Sequence, residues 1–358
     1  MPALLPLLLV LPLVACAGDP APSPGRAPDR ELPGGIAVEL LTAEEAKSAI
    51  VEPSDPFFAK LTLLEISLRL DEDVTALPRE EALTKFRAFL VEQVTDWPEA
   101  ERDTLLTALP LVAEACRKGC PKLLPARWRF IRTTGREESG APHTRGNCII
   151  LPAGSVEQFA EESVESLGRL IVHETFHVHS RLHPEARDAL YAEVGFRPIA
   201  PLALPESIEK IRLTNPDGPG WEHAVTLADP VSGEETRAIL LLTSNTPVFQ
   251  KAIRGVLPVL QFHLYPLATV DPPALRLDEK GEPVRWPPFA TKSLFETIGR
   301  NTGYIIHPDE ILADNAAMLA YPRENPPTPE LLARLATLLG AAKEEPAEKA
   351  VEPAGAGR

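Results

Sequence analysis

Four of the chain's eight histidines lie in one short stretch, LIVHETFHVHSRLHP, at residues 170–184. His173 and His177 are four residues apart, so on a helix they lie on one face, one turn apart, where both can bind a single metal ion. Glu174 follows the first histidine and can reach a water molecule at that ion, which is where a general base is needed. The spacing therefore predicts a zinc site on a helix.

A hydrolytic zinc site also needs a third protein ligand and one open position. Residues 307–315, HPDEILADN, place Glu310 and Asp314 four apart on a predicted helix, so the two side chains share a face. Glu310 is our candidate for the third ligand because Asp314 can accept a hydrogen bond from the distal N–H of a ligand histidine. A solvated acidic helix face is the alternative interpretation of this pair. The other candidates for the third ligand are His223, His263 and His307.

The two motifs together, HETFH and a later EILAD, resemble those of the gluzincin zinc metallopeptidases, which include the thermolysin-like enzymes. The resemblance implies that His173, His177 and Glu310 bind one zinc ion per chain. It further implies that Glu174 is the general base and that Asp314 orients a ligand histidine. The matched positions cover two short helices, and a long stretch of chain separates them.

The resemblance also implies a fold class, α+β, in the form of a helix-rich zincin-like metallopeptidase domain with a small sheet and an active-site helix. In that fold the edge strand of the sheet lines the substrate cleft. The segment NCIILP, residues 147–152, fits the edge strand by its order along the chain.

The expected reaction is hydrolysis of a peptide bond by a zinc-activated water. Glu174 would take the proton of that water and pass it to the leaving amine. The developing oxyanion needs a further donor, and Tyr304 and His307 lie just before or at the start of the helix that carries Glu310. A packed tyrosine and a helix-capping histidine are the alternative roles of this pair.

Three other functions stay open at this point. One is a zinc amide hydrolase of the cell envelope that does not act on peptides, and another is a binding or structural lipoprotein with a non-catalytic zinc site. A structural site would be closed by a fourth ligand such as His179 or His223, and it would have no use for Glu174. The third is a latent enzyme in which Cys148 is a thiolate ligand of the metal. Otherwise we expect His179 and His183, on other faces of the helix, to be surface or supporting residues.

The elements that must position these residues follow from capping residues and from the period of the apolar side chains. Thr42 and Glu45 form a capping-box pattern, and the run from Ser155 carries apolar residues at helical spacing toward the histidines. Helices are predicted at residues 42–53, 78–94, 98–109, 155–182, 307–321 and 329–340. Strands are predicted at residues 126–134, 147–152, 221–227 and 236–244.

The N-terminus has the pattern of a targeting segment. An apolar run ends in Leu13-Val14-Ala15-Cys16, which resembles the lipobox of a bacterial lipoprotein signal peptide. This pattern predicts cleavage before Cys16, lipidation of its thiol and anchoring in the bacterial cell envelope, facing the periplasm or the exterior. No later apolar stretch reaches about 18 residues, so we expect membrane contact only through this lipid.

The composition suits one large or two modest domains, since 44% of the 358 residues are hydrophobic. The net charge of −15, without a Lys/Arg cluster, argues against nucleic acid and against polybasic docking to lipid. The expected partner is a peptide or protein substrate, and the oligomeric state stays open. The predicted division of the chain is a signal peptide at 1–15, a disordered tether at 16–35, an N-terminal helical region at 36–125, a zincin-like catalytic region at 126–341 and a disordered tail at 342–358.

Three cysteines follow Cys16 in the chain, namely Cys116, Cys120 and Cys148. A compartment outside the cytoplasm permits disulfides. Either Cys116 or Cys148 can pair with Cys120, and an odd count leaves at least one thiol free within the chain.

Overall fold

The computed structural model describes residues 27–218 and 220–341. In this part of the chain twelve α-helices and two small β-sheets form a mixed α/β fold. The predicted signal peptide, Cys16 and the predicted tail lie outside the described residues. None of the helices in the described ranges combines the length and the apolar character that crossing a membrane requires.

The first sheet has six strands in the order β1-β2-β4-β6-β5, and β3 pairs with β4. Strands β2, β4 and β6 are parallel to one another, and β5 runs antiparallel to β6. The strands are β1 Arg30–Leu32, β2 Ile36–Leu40, β3 Val94–Thr95, β4 Arg127–Thr133, β5 His143–Arg145 and β6 Cys148–Pro152.

The prediction that residues 147–152 form the edge strand is wrong. These residues form β6, which lies between β4 and β5, and the edge belongs to the three-residue strand β5. All five residues of β6 are buried, as expected for a strand that is paired on both sides. An uninterrupted apolar run favours an interior position, so this pattern argued against an edge from the start.

The second sheet is antiparallel, with five strands in the order β11-β10-β9-β7 and with β8 paired to β10. The predicted strands at 221–227 and 236–244 are confirmed as β9 and β10. The strands are β7 Phe196–Pro198, β8 Arg212–Leu213, β9 His223–Ala228, β10 Glu235–Ser244 and β11 Leu260–Pro266.

The six predicted helices start where the capping residues predict, with one exception, and five further helices, α2, α3, α8, α9 and α10, were not predicted. Thr42 caps α1 in a capping box with Glu45, and His307 caps α11 with Pro308 in its first turn. The bounds are α1 Ala43–Ala49, α2 Pro56–Lys60, α3 Leu63–Leu70, α4 Arg79–Gln93, α5 Glu99–Gly119, α6 Ser155–Glu162, α7 Val164–Leu182, α8 Pro184–Glu193, α9 Glu206–Glu209, α10 Lys292–Ile298, α11 Pro308–Ala320 and α12 Pro329–Leu338.

The exception is the long helix predicted at residues 155–182, which is two helices. Ser163 is extended, with φ −175° and ψ 158°, and its side chain accepts a hydrogen bond from the backbone N–H of Ser166. That is the geometry of an N-cap residue, so Ser163 ends α6 and begins α7. Ser155 is the first residue of α6 and not its cap, because Gly154 occupies the cap position.

The predicted boundary at residues 125 and 126 does not separate two sheets. Strand β2 pairs in parallel with β4 across that boundary, and α5 packs against both α7 and α11. Strand β1, Arg30–Leu32, lies inside the predicted tether and pairs with β2, so the prediction of disorder is wrong for these three residues.

The three cysteines of the described residues are buried and unpaired. Cys116 and Cys120 are four residues apart and lie together in the main core cluster, whereas Cys148 lies in a different core cluster, with Ile131 and Ile150. Burial raises the pKa of Cys148 to about 11, which favours the neutral thiol over a metal-binding thiolate.

Helices α5 and α11 meet so closely that Gly119 has no room for a side chain. A Cβ there would lie 1.9 Å from the backbone oxygen of Leu319 in α11. We expect Gly119→Ala to lower the free energy of unfolding by about 1–3 kcal/mol, because backbone must move to relieve the overlap. Denaturant unfolding measures this, with Gly303→Ala as the control, since nothing lies within 4 Å of a Cβ at Gly303. Equal stabilities would contradict this packing.

Candidate metal centre

The HETFH motif lies in the middle of α7, which packs against α11 along much of its length. Apolar residues of α7 such as Ile171 and Phe176 are buried in the main core. This packing turns His173 and His177 toward α11, with 4.7 Å between the centroids of their rings. The helical spacing predicted from the sequence therefore brings both imidazoles to one place.

Helix α11 supplies the facing carboxylates. It is buried over nearly its whole length, and the side chain of Glu310 is 2% exposed. Glu310 Oε2 lies 3.1 Å from His173 Nε2 and 3.3 Å from His177 Nε2. In a tetrahedral zinc site with bonds of about 2.0–2.1 Å, neighbouring ligand atoms are roughly 3.3 Å apart. These two distances match that spacing, and all three ligand atoms lie within 4.8 Å of one another, so the group could hold a metal ion.

Both histidines are oriented by carboxylates behind them. His173 Nδ1 lies 3.0 Å from Asp314 Oδ1, the partner predicted from the sequence. His177 Nδ1 lies 2.7 Å from Asp309 Oδ2, a partner that the sequence analysis missed. Since Nδ1 of each ring donates its proton to a carboxylate, Nε2 of each ring is left to face Glu310.

This arrangement leaves a place for a cation. His177 Nε2 is buried and forms no hydrogen bond, although Glu310 Oε2 is 3.3 Å away. Without a metal the site holds protons instead. Burial lowers the pKa of His173, but hydrogen bonds to Asp314 and Glu310 outweigh it and raise that pKa to about 10. The same surroundings raise the pKa of His177 and lower that of Glu310. The donor set therefore fits a divalent metal ion that would displace these protons.

Glu174 stands beside this cluster without a partner of its own. Its side chain is buried, and Oε2 has no hydrogen bond in the described residues. Burial and the nearby carboxylate of Asp217 raise the pKa of Glu174 to about 8. The residue lines a cavity of about 640 Å³ together with His173 and Glu310. A carboxylate with a raised pKa at such a place is typical of a general base.

Two further residues of the site come from the loop at 214–217. Asn215 Nδ2 donates a hydrogen bond of 2.7 Å to Glu310 Oε1, which turns Oε2 toward the histidines. Asp217 forms a second candidate metal-binding group with Glu174 and His177, whose ligand atoms lie within 4.8 Å of one another. In the sequence both residues belong to NPDGPG, residues 215–220, whose composition is typical of a turn, and this asparagine and aspartate were the available signal.

A buried ion network fixes this loop. In α3, Glu65 accepts a hydrogen bond from the backbone N–H of Thr214, and Arg69 donates to the Thr214 carbonyl over 3.5 Å. Arg69 and the fully buried Arg145 of β5 share the carboxylate of Glu138. The N-terminal helical region thus helps to build the site.

Tyr304 and His307, the two candidate oxyanion donors, lie in different surroundings. Tyr304 lines the 640 Å³ cavity, stacks on the His173 ring at 6.2 Å between centroids, and is 45% exposed. His307 accepts a hydrogen bond from the Asp309 N–H through Nδ1, and its Nε2 lies 2.9 Å from the carbonyl oxygen of Gly220. Both ring nitrogens of His307 are therefore engaged, and the geometry favours its capping role.

The remaining histidines do not join the cluster. His223 bonds to Asp188 over 3.0 Å, and the rings of His179 and His183 contact each other at 4.6 Å between centroids, with an interplanar angle of 45°. In the part of the chain that the structure describes, two groups of residues could hold a metal ion. The first is His173, His177 and Glu310, and the second is Glu174, His177 and Asp217.

Comparison of this chain with models of protein families, with curated proteins and with solved structures found no match. The geometry of the site is thus what supports a function.

The two orienting carboxylates give a paired prediction. Asp309→Asn and Asp314→Asn should each weaken zinc binding about 10–100-fold, because each removes the charge that fixes a ligand ring. Asp309 is buried and also accepts hydrogen bonds from Ser180 and Tyr191, so its substitution should further cost about 1–3 kcal/mol of stability.

The side chain of Asp314 is 31% exposed, so Asp314→Asn should lower the free energy of unfolding less than Asp309→Asn does. Titration against a chromogenic zinc chelator gives the two affinities, and denaturant unfolding of the metal-free protein gives the two stabilities. A zinc affinity unchanged in both variants would contradict the ligand assignment.

Proposed function

We propose that this chain is a zinc-dependent metallopeptidase, with His173, His177 and Glu310 as zinc ligands and Glu174 as the general base. The observation that carries the proposal is the position of Glu174. Its buried carboxylate has an unpartnered oxygen and lies next to the ligand cluster, at the wall of a large cavity. A purely structural zinc site has no use for such a group.

A bound Zn²⁺ ion would polarise the scissile carbonyl and lower the pKa of a water molecule toward about 7. Glu174 accepts the proton of the attacking water and then delivers it to the nitrogen of the leaving amine. The raised pKa of Glu174 suits this exchange, because a group near neutrality can both take and give a proton.

Tyr304 is the better candidate of the two for the oxyanion donor. Partial burial at the cavity wall, together with the carboxylates of Glu310 and Asp217, raises the pKa of Tyr304, so the phenol keeps its proton and can donate it in a hydrogen bond. Its ring is held against His173, within the same cavity as Glu174. Asn215 and Asp314 hold Glu310 and His173 in place, which keeps the ligand atoms converged.

The cavity is large enough for a short peptide. Its volume of about 640 Å³ is in the range of sites that enclose ligands of several residues or a drug-sized molecule. A zinc amide hydrolase of the cell envelope that does not act on peptides remains the second candidate, because the same groups would cleave any accessible amide. Lipid anchoring through Cys16 would place either enzyme in the bacterial cell envelope.

Metal removal tests the proposal. The purified protein should contain one zinc per chain and should cleave members of a mixed library of fluorogenic peptides. The activity should vanish with 1,10-phenanthroline and return when zinc is added back. Failure to bind zinc after reconstitution would reject the metal centre, and bound zinc without hydrolysis of any peptide or acyl amide would identify a non-catalytic site.

A further inference from the structure

We propose that Asp217 binds the free amino terminus of the substrate, so that the enzyme releases residues from the amino end of a peptide. This inference rests on the proposed peptidase function and names the substrate class of the same site.

The carboxylate of Asp217 is rigidly held with one oxygen unused. Oδ1 accepts two hydrogen bonds of 2.7 Å, from the backbone N–H and the hydroxyl of Thr144 in the edge strand β5. The backbone N–H of Asp217 donates to Asn215 Oδ1 over 3.2 Å. Oδ2 accepts no hydrogen bond within the described residues. Asp217 is 8% exposed, and it lines the 640 Å³ cavity.

Asp217 forms no direct ion pair within the described residues, although its charge acts on Arg145 and His177 nearby. Its carboxylate lies within 4.8 Å of that of Glu174, which also has an unpartnered oxygen. The nearest arginines are used elsewhere, since Arg181 donates to the backbone carbonyl of Asp217 and Arg145 to that of Pro216. Two carboxylates this close favour a cation between or beside them.

An ammonium group fits this place better than a second metal ion. The free nitrogen of His177 is Nε2, because Nδ1 is bonded to Asp309. That single lone pair can bind a metal either in the group with Glu310 or in the group with Asp217. The two groups therefore cannot each hold a metal ion at the same time. An ammonium ion needs only acceptors and brings three donors of its own, and Asp217 Oδ2 is such an acceptor.

The lining of the cavity offers a peptide a course away from Asp217. Beside Asp217 and Glu174, the wall is formed by residues of α6 and α7 that include Ser166, Glu162 and Phe159. Asp217 also lines a second cavity of about 400 Å³, whose wall includes Ser180 and Asp309. A peptide whose amino terminus is bound by Asp217 would have its remaining residues in the larger cavity, along α6 and α7.

Paired substrates test this inference. We expect the zinc-loaded protein to hydrolyse aminoacyl-coumarin amides with a free amine at least about 100-fold faster, in kcat/KM, than the same amides with an N-acetyl group. Asp217→Asn should abolish this preference by lowering only the rate on the free amine, and it retains an acceptor for Thr144. Glu162→Gln, at the far end of the cavity, is the matched control and should keep the preference.

Binding of hydroxamates gives a readout that needs no turnover. Leucine hydroxamate should bind the zinc-loaded protein at least about 100-fold more tightly than its N-acetyl derivative by calorimetry, and Asp217→Asn should equalise the two. Equal binding or hydrolysis of free and blocked compounds by the wild type would overturn the inference and leave the peptidase proposal intact. A second zinc ion that is lost in Asp217→Asn would overturn it as well. Failure of the wild type to bind either hydroxamate or to cleave either amide would count against the proposed function itself.

Discussion

Replacing Glu310 with alanine is expected to weaken zinc binding by more than about 100-fold. Glu310 Oε2 is the atom on which Nε2 of both histidines converges, so its loss removes a ligand and the negative charge that faces both rings. Removing a carboxylate that merely orients a ligand already costs about 10–100-fold in metal affinity. Loss of the ligand itself should exceed that range.

Two controls separate metal binding from folding. Glu310→Gln retains the shape of the side chain and an acceptor for Asn215, so it should fold like the wild type but still bind zinc weakly. Glu330→Ala, exposed on α12, should bind zinc with unchanged affinity. Competition with a calibrated zinc chelator measures all three affinities. Full zinc affinity in Glu310→Ala would mean that the third ligand lies elsewhere. Asp217 would then be the next candidate, because it forms the other possible metal-binding group with Glu174 and His177.

The part of the site that local patterns define was predictable from the sequence. His173 and His177 are one helical turn apart, as are Glu310 and Asp314, and each pair lies on a segment that was predicted to be helical. The spacing of these residues did not show that α7 and α11 pack together with these two faces in contact. The resemblance to a known motif supplied that step.

The residues that were missed reach the site through long-range contacts. Asp309 precedes Glu310, but its role depends on which side of α11 meets His177. Asn215 and Asp217 sit in a turn, and the turn is carried to the site by the buried network of α3 and β5. No period or spacing in a single sequence encodes such contacts.

Two errors in the fold have local causes. The break at Ser163 was hidden because the helical period continues in phase across it, and only its capping geometry shows where α7 begins. The edge strand was misplaced because its three residues, His143–Arg145, are too short and too polar to be recognised as a strand. Polar residues are buried there because Asp217 and Glu138 supply partners from outside the sheet.

Replacing Glu174 with glutamine should lower kcat by about 10²–10⁴-fold while leaving one zinc per chain. Glutamine has the same shape but cannot accept the proton of the attacking water or return it to the amine. Glu174 is not among the converging ligand atoms, so zinc affinity should stay within a few-fold of the wild type. Glu165→Gln, in the first turn of the same helix and exposed, is the matched control and should retain full activity. A Glu174→Gln variant active to within tenfold would assign the base to another group.

The same substitution should also change stability in a way that depends on pH. Burial and the charge of Asp217 raise the pKa of Glu174 to about 8 in the folded metal-free protein, above its usual value of about 4.5. The folded state then holds this proton more tightly than the unfolded state, so the wild type loses stability as pH rises from about 4.5 to about 8. Glutamine carries no charge and avoids that loss. The thermal midpoint of metal-free Glu174→Gln should therefore exceed that of the wild type at pH 8–9, and the difference should shrink toward pH 5. The variant would thus gain stability and lose activity. This combination is expected for a general base whose carboxylate lies in an environment that is unfavourable for its charge.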